Sequence, residues 1–409
     1  MIEIHQCNRC LYTSNHPLGL TIDDDGICSG CRVHEEKDAL DWSERWLGLE
    51  DLVRSYRSKS SSIYDCIVPV TGAQDSYYIL HIVKERLGLN PLLVSYNKYW
   101  NTPVGIKNLA NLRIRFNCDI LIQNVNPKAV KGIVKNTLRS IGSIYWHCIA
   151  GQTVFPVQTA VRYKIPLIIW GAHQGMEQVG MFSHEHEPEM TRRYRKDHDL
   201  MGLEADDLLS NFDTLTESDI WQYRYPEDDE INAIGVRGIY LNNYVRWDPK
   251  LQHEAMIERY GYLTSRFSRT FDCYDYVDCY NYMGVHDLLK FYKTGFSKVT
   301  DHACREIRHG RLSKESALIL VDWFQNQSVN YFDILCEWLG VEQRSLQFVL
   351  DLHRSEGIWF KNELGEWCRN NDGRKDAHIS NVTSLGFNSN ASLSLDENDG
   401  YIVIGKGWS

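Results

Sequence analysis

The sequence lacks several of the features by which nucleotide-binding and membrane proteins are usually recognised. It contains neither the Gly-x4-Gly-Lys-[Ser/Thr] pattern of a Walker phosphate loop nor the Gly-x-Gly-x-x-Gly pattern of a dinucleotide-binding turn. No apolar run approaches the length of a membrane span, and the N-terminus has no signal-peptide pattern. Positive charge is in deficit, with 44 Lys and Arg against 54 Asp and Glu. We therefore expect neither a membrane partner nor a nucleic-acid partner bound through phosphate neutralisation.

The remaining composition is typical of a globular cytoplasmic protein. With 409 residues, 43% of them hydrophobic and 12% aromatic, the chain has room for two or three domains and a large core. Its twelve cysteines, without a secretory signal, are typical of a reducing compartment where thiols stay free or bind metal. We therefore expect a soluble protein of the cytoplasm.

The N-terminal segment carries four cysteines in two C-x2-C pairs, separated by seventeen residues: Cys7, Cys10, Cys28 and Cys31. This spacing predicts a tetrahedral zinc site. Because all four ligands are cysteine, the zinc is expected to be structural. The alternative is four unrelated thiols. We interpret residues 1–36 as a zinc-binding module and residues 37–60, with their helical pattern of apolar residues, as a linker helix.

From residue 61 onward, short apolar runs alternate with helical patterns. Strands are predicted at 67–70, 91–96, 119–123 and 165–171, and helices at 77–84, 103–117, 127–140 and 152–163. This alternation predicts an α/β fold with a doubly wound, mainly parallel sheet, which binds its ligand at the carboxyl ends of the strands. We assign 61–235 to this nucleotide-binding domain and 236–368 to a mostly helical substrate or partner region. Residues 369–409 form a polar tail with a predicted strand at 401–404.

The turn after the first strand has the composition of a phosphate-binding loop. Residues 71–76 are small or polar and lead directly into a helical pattern. The N–H groups of such a loop and of the first helical turn attract an anion, and the helix dipole adds to them. Asp75 supplies a carboxylate for a magnesium-bound phosphate, and Ser76 supplies a capping hydroxyl. The alternative is an ordinary strand-to-helix turn.

A second candidate stretch, residues 295–311, places Lys298 and three arginines, Arg308 among them, around a loop-to-helix junction. Cations opposite the loop would stabilise the departure of pyrophosphate. Asp301 lies at the predicted start of the helix. The alternative is an exposed basic helix.

These patterns together resemble a known family. The loop resembles the Ser-Gly-Gly-x-Asp-Ser loop of the PP-loop ATP pyrophosphatases (the adenine nucleotide alpha hydrolase-like group), with Thr71 for Ser and Ala73 for the second Gly. The four cysteines, this loop and two long stretches occur in one order, as in the N-acetyl sugar amidotransferases of bacterial surface-polysaccharide, lipopolysaccharide and nonulosonic-acid biosynthesis. The two stretches are residues 146–171 and 275–308.

The resemblance implies an amidine-forming C–N ligase that uses ATP and Mg²⁺. ATP would adenylate the amide oxygen of a sugar acetamido group, and ammonia would displace AMP to give an acetamidino group. Ammonia would come from a separate glutaminase subunit, because Cys148 lacks a nucleophile context and Ile2 follows the initiator methionine. The substrate would be an N-acetylated sugar or sugar nucleotide.

The residue roles follow from the same resemblance. Lys298 and Arg308 would neutralise the leaving group, and Asp301 would position substrate or metal. Asp75 would hold Mg²⁺, and the nucleotide would lie against Val70, Thr71, Gly72, Ala73, Ser76, Asn97 and Gly171.

Two other interpretations remain open. A PP-loop enzyme that transfers sulfur to tRNA also carries a zinc module, but this chain has no second C-x-x-C near the predicted crevice and no basic excess. A non-catalytic paralogue that binds nucleotide without turnover is favoured only by Ala73.

Overall fold

The computed structural model describes residues 4–57, 59–73 and 75–370. The strand predicted at 401–404 lies outside the described residues. No helix in the described ranges is long and apolar enough to cross a membrane. All twelve cysteines are free thiols.

A five-stranded parallel sheet forms the centre of the protein. Its order is β3-β2-β1-β4-β5. The bounds are β1 Cys66–Pro69, β2 Pro91–Tyr96, β3 Ile120–Gln123, β4 Leu167–Trp170 and β5 Arg237–Tyr240. Successive residues of β1 pack into different apolar clusters, Ile67 into one and Val68 into another. Both faces of the sheet are therefore covered, as a doubly wound parallel sheet requires, and the predicted fold class is confirmed.

The helices of the first half connect these strands. They are α1 Ser29–Ala39, α2 Trp42–Arg57, α3 Ser76–Leu80, α4 Pro103–Arg115, α5 Pro127–Ile141, α6 Trp146–Tyr163 and α7 Gln174–Val179. A π-helical turn, His81–Arg86, continues α3. Local signals fix several of these starts: the Thr102 side chain accepts a hydrogen bond from the backbone N–H of Gly105, with Pro103 in the first turn.

The second half is mostly helical. Its helices are α8 Arg192–Tyr194, α9 Ala205–Asn211, α10 Glu217–Ile220, α11 Asp228–Ile234, α12 Pro249–Tyr260, α13 Asp287–Thr294, α14 Lys298–Arg308, α15 Lys314–Gln325, α16 Phe332–Leu339 and α17 Gln343–Asp351. π-helical turns at Arg195–Asp199 and Tyr282–His286 adjoin α8 and α13. An antiparallel hairpin of β6 Trp359–Lys361 and β7 Trp367–Arg369 follows α17.

The four predicted strands are present, but the sheet has a fifth. The predicted nucleotide-binding domain ends at residue 235, two residues before β5, so the fifth strand lies in the segment assigned from the sequence to the mostly helical region. β5 is short and has Gly238 in its middle, which leaves almost no apolar pattern to detect. Similarly, α6 begins at Trp146 rather than at the predicted residue 152.

The four-cysteine segment packs against distant parts of the chain. The cysteines share one buried cluster with Val179 at the end of α7 and with Val299, Ala303 and Cys304 of α14. Helix α1 also crosses the predicted module boundary at residue 36 and ends at Ala39. The segment therefore has its apolar core in common with the C-terminal region.

Candidate active site

A cavity of about 340 Å³ opens at the carboxyl ends of β1 and β4. The chain leaves β1 toward β2 and leaves β4 toward β5 on the other side, so a crevice opens between these neighbouring strands. Val70, Thr71, Asp75 and Ser76 line it after β1, and Gly171 lines it after β4. The structure thus brings these five predicted site residues together in one cavity of ligand-binding size.

The loop after β1 is closed by its own hydroxyl groups. The backbone N–H of Thr71 donates to Oγ of Ser76 (2.9 Å), and both hydroxyls donate to the carbonyl oxygen of Ala73 (3.0 and 3.1 Å). Ala73 is not among the residues with positive φ, and its side chain is fully buried. Alanine therefore fits this turn without backbone strain, although glycine stands there in the pattern that the loop resembles.

Two other predicted nucleotide contacts, Gly72 and Asn97, are not among the residues that line the cavity. The carbonyl oxygen of Gly72 accepts a hydrogen bond from Nδ2 of Asn108 on α4 (2.9 Å). The side chain of Asn97 donates to Asn124 (2.6 Å) and accepts from Asn101 (2.7 Å). Gly72 thus holds the loop against α4, and the Asn97 amide joins the ends of β2 and β3 instead of lining the cavity.

Asp75 is the carboxylate of this loop and lies beside Gly171. A side chain on Gly171 would place its Cβ 3.2 Å from Oδ2 of Asp75. Burial raises the pKa of Asp75 to about 7, and the charges of Asp275 and Glu177 act in the same direction. The site therefore disfavours the free carboxylate, and a bound divalent cation would restore its ionised form.

Together with the expectation, implied by the family resemblance, that Asp75 holds Mg²⁺, this shift predicts a pH dependence for the binding of magnesium-ATP. Below pH 7 most Asp75 is protonated and neutral, so it cannot ligate the metal. We expect the dissociation constant of Mg²⁺-ATP, measured by calorimetry, to rise about tenfold from pH 8 to pH 6. Asp75→Asn should bind more weakly at pH 8 and lose most of this dependence. An Asn variant with the wild-type pH profile would contradict the assignment.

A smaller cavity, of about 70 Å³, is also bordered by Asp75. Helix α14 contributes Lys298, Asp301 and Arg308 to its lining, so the predicted loop and the predicted basic stretch do meet. Nζ of Lys298 lies 3.2 Å from a carboxylate oxygen of Asp301.

Asp301 is held from several sides. Lys290 donates to Oδ2 (2.6 Å) and the hydroxyl of Tyr12, from the four-cysteine segment, donates to Oδ1 (2.8 Å). Burial alone would raise the pKa of Asp301, but Lys290 and Lys298 lower it below its ordinary value. The carboxylate is therefore a fixed negative charge that orients the Lys298 ammonium.

Arg308 borders the smaller cavity but bonds elsewhere. Its Nη1 donates to the carbonyl oxygens of Glu177 (3.1 Å) and Gln178 (2.7 Å) in the last turn of α7. Its Nη2 lies 3.8 Å from Sγ of Cys28. These contacts direct the guanidinium toward the cysteines.

Sequence reasoning missed much of the wall of the larger cavity. Lys98, one residue beyond Asn97, lines the cavity and pairs with the buried Asp278 (2.5 Å). Tyr276 borders both cavities, has a φ of 56°, and stacks on Tyr282 with ring centroids 3.4 Å apart. The rule that ligands bind at the carboxyl ends of the strands would identify Lys98 if it were extended one residue beyond Asn97. The tyrosines carry no local signal beyond the aromatic density of 271–278.

The arrangement of the four cysteine thiols fits a structural zinc ion. Their sulfur atoms all lie within 4.8 Å of one another, with Cys7 and Cys31 4.0 Å apart and Cys10 and Cys28 3.5 Å apart. Tetrahedral coordination at about 2.3 Å places sulfurs about 3.8 Å apart. The backbone N–H groups of Cys10 and Cys28 point to Sγ of Cys7, at 3.5 and 3.3 Å, and so stabilise a thiolate.

A second group of metal-ligand type already forms ion pairs with an arginine. Asp272, Asp275 and His302 offer ligand atoms within 4.8 Å of one another. Arg305 donates to Asp272 (2.5 Å) and Asp275 (3.0 Å). The His302 side chain and then the Arg305 charge lower the pKa of Asp275 against the effect of burial. The group acts as an ion-pair network beside Asp75.

Comparison with known proteins gives one family match, covering residues 258–371. It is the family described as LPS biosynthesis protein WbpG-like, C-terminal domain. An uncharacterised protein of Methanocaldococcus jannaschii is 25% identical over 119 residues, which span 29% of this chain and 42% of that protein.

Among solved structures, an NH3-dependent NAD synthetase from Campylobacter jejuni subsp. jejuni shares 12% sequence identity. The alignment covers 48% of this chain and 92% of the synthetase, with a TM-score of 0.29. At that score the likeness carries no argument about function.

Proposed function

We propose that this chain is an ATP-dependent synthase that converts the acetamido group of an N-acetylated sugar into an acetamidino group during bacterial surface-glycan biosynthesis. The observation that carries this proposal is that Asp75 lines both the cavity at the loop after β1 and the smaller cavity lined by Lys298. The match of residues 258–371, which include α14, to a domain of an LPS biosynthesis protein supports the glycan pathway.

The loop would bind the phosphates and Mg²⁺, and α14 would stabilise the departing pyrophosphate. Thr71 and Ser76 would release their hydrogen bonds within the loop to donate to phosphate oxygens, and Asp75 would hold Mg²⁺. The metal would neutralise phosphate charge during AMP transfer to the amide oxygen. Lys298, oriented by Asp301, would stabilise the departing pyrophosphate. The adenylated oxygen then leaves with AMP when ammonia attacks, so no protein nucleophile is required.

The tyrosine-rich wall of the larger cavity suits a sugar. Tyr276 and Tyr282 present aromatic surface there, with Lys98 beside them. Flat apolar rings pack against the C–H faces of a pyranose, while polar groups at the edge bond its hydroxyls. The acceptor would thus lie next to the phosphate loop, where its amide oxygen can reach the α-phosphate.

A separate glutaminase subunit is proposed as the source of ammonia. Cys148 is fully buried, and burial raises the pKa of its thiol well above the ordinary value. Burial also lowers the pKa of the adjacent His147 to about 3. A neutral thiol beside a neutral imidazole is unsuited to hydrolyse glutamine, which supports an external supply.

The test is incubation of the zinc-loaded protein with ATP, ammonium and UDP- or CMP-linked N-acetyl sugars. Release of AMP and pyrophosphate that depends on the sugar, with exchange of one oxygen for NH in its mass spectrum, is the expected result. Release only with tRNA and a sulfur donor would favour the tRNA-modifying interpretation. No release from a folded protein that binds ATP would favour a non-catalytic paralogue.

Lys298→Gln should lower kcat about 100-fold and weaken inhibition by pyrophosphate, with a smaller effect on the KM for ATP. The physical reason is that the ammonium acts on charge that develops on the leaving group. Lys293→Gln is the matched control, because this half-buried lysine donates to the carbonyl oxygens of Ile141 and Gly142 away from both cavities. Equal kinetics for the two variants would remove Lys298 from the reaction.

A further inference from the structure

The guanidinium of Arg308 has no carboxylate within 4.0 Å among the residues described. Its Nε is buried and without a hydrogen-bond partner, and its Nη1 bonds only to backbone carbonyls. Arg308 is partly buried, and removing a cation from water without a compensating anion is unfavourable. The chain keeps a charge here, so an anion should lie beside it.

The neighbouring groups are those of the four-cysteine cluster. Nη2 of Arg308 is 3.8 Å from Sγ of Cys28. Gly30, between Cys28 and Cys31, leaves the space for this approach, because a Cβ at residue 30 would lie 2.3 Å from Nη2. The ring of Tyr12 covers the guanidinium from another side, at 5.4 Å.

The charge of the cluster depends on its state. Four protonated thiols carry no net charge, whereas four thiolates around a divalent ion carry a net charge of −2. A four-thiolate metal centre would supply the anion beside the Arg308 guanidinium, whose Nη2 lies 3.8 Å from Sγ of Cys28. The position of Arg308 is therefore an argument for the metal that does not depend on cysteine spacing.

We propose that Arg308 is the charge-compensating partner of a four-thiolate zinc centre and joins that centre to the last turn of α7. In this role Arg308 acts on the metal through the Cys28 sulfur and is a positioning residue rather than a contact of the leaving pyrophosphate. The other end of α7 follows Gly171 and His173, which line the larger cavity. The proposal holds whatever substrate the enzyme takes.

Zinc release from the full-length, zinc-loaded protein tests this proposal. Excess 4-(2-pyridylazo)resorcinol, which changes colour on binding zinc, would be mixed with wild type, Arg308→Gln and Arg311→Gln. Arg311 is the matched control, since it lies three residues farther along and bonds to Glu306 (2.6 Å) and Asp248 (2.7 Å), not to sulfur. We expect at least tenfold faster release from Arg308→Gln and the wild-type rate from Arg311→Gln.

The cobalt-substituted protein gives a second readout: the sulfur-to-cobalt charge-transfer band should shift in Arg308→Gln and stay in place in Arg311→Gln. Arg308→Lys, which keeps the charge but not the fork of donors, should release zinc at an intermediate rate and serves if the Gln variant does not fold. Zinc release at the wild-type rate from either Arg308 variant would overturn the proposal. So would pyrophosphate binding weakened tenfold with zinc release unchanged.

Discussion

Replacing Asp75 by Asn is expected to reduce turnover at least 1000-fold and, at pH 8, to raise the melting temperature. The loss of activity follows because the amide cannot neutralise Mg²⁺. The gain in stability follows because the folded protein holds the carboxyl group where its pKa is about 7. Ionisation of the Asp75 carboxyl group is therefore unfavourable in the folded state and carries no such cost in the unfolded state.

The sign of this effect depends on pH in a defined way. Near pH 4 Asp75 is protonated in the folded state, and the two proteins should be about equally stable. As pH rises toward 7 the wild type loses stability relative to the variant, and above pH 7 the difference is constant. It should reach at least about 1.4 kcal/mol, the equivalent of one pKa unit. Thermal melts from pH 4 to pH 8 measure it.

Asp301→Asn provides a contrast of opposite sign. Lys290 and Lys298 lower the pKa of Asp301 despite its burial, so its ionised form stabilises the fold. This variant should be less stable than wild type at pH 8 and approach it as the pH falls below 4.

An Asp75→Asn protein that melts below the wild type at pH 8 would contradict the charge argument. Normal turnover by the Asp75→Asn variant would contradict the proposal that Asp75 holds Mg²⁺.

The strand, the turn after it and the following helix could be predicted because their signals are local. An apolar run that breaks into small residues and then becomes amphipathic is a strand, a turn and a helix whatever surrounds it, and β1, the loop and α3 are where that pattern places them. The strand-end rule also placed Asn97 correctly at the end of β2. The rule could not predict that Asn124 and Asn101 would form hydrogen bonds with the side-chain amide of Asn97.

Other features depend on tertiary contacts that no local pattern contains. On the charge of residues 295–311 alone, Lys298 and Arg308 were equivalent. A helix rises about 1.5 Å per residue, so the two are about 15 Å apart along α14, and each meets a different neighbour. Lys298 reaches Asp301, and Arg308 reaches Cys28. The cavity wall formed by Tyr276 is likewise visible only once residues far apart in sequence are brought together.

From the sequence, the zinc of the four-cysteine segment is expected to be structural. In the structure Tyr12 of this segment donates directly to Asp301, the carboxylate that orients Lys298. Because the same segment packs on α14 through the buried cysteine cluster, a rearrangement of the four cysteines would displace α14. The four-cysteine segment and the position of Lys298 are therefore connected through α14.

Gly72→Ala is expected to destabilise the protein by about 3 kcal/mol or more and to weaken ATP binding at least tenfold. A Cβ at residue 72 would lie 1.9 Å from the carbonyl oxygen of Gly105, and within 3 Å of two more backbone atoms of α4. Backbone at a helix start cannot move aside as a flexible side chain would. The loop must therefore shift, and it carries Thr71 and Asp75 with it.

Gly48→Ala is the matched control, because Gly48 lies inside α2 and a Cβ added there would meet no atom within 4 Å beyond the backbone of its own helix. This substitution should be neutral or stabilise the protein by up to about 1 kcal/mol, since alanine favours the helix. Thermal melts and calorimetric ATP titrations of both variants separate the general effect of an added methyl group from its effect at the loop. A Gly72→Ala protein with normal melting and normal ATP affinity would show that the turn after β1 does not need its close contact with α4.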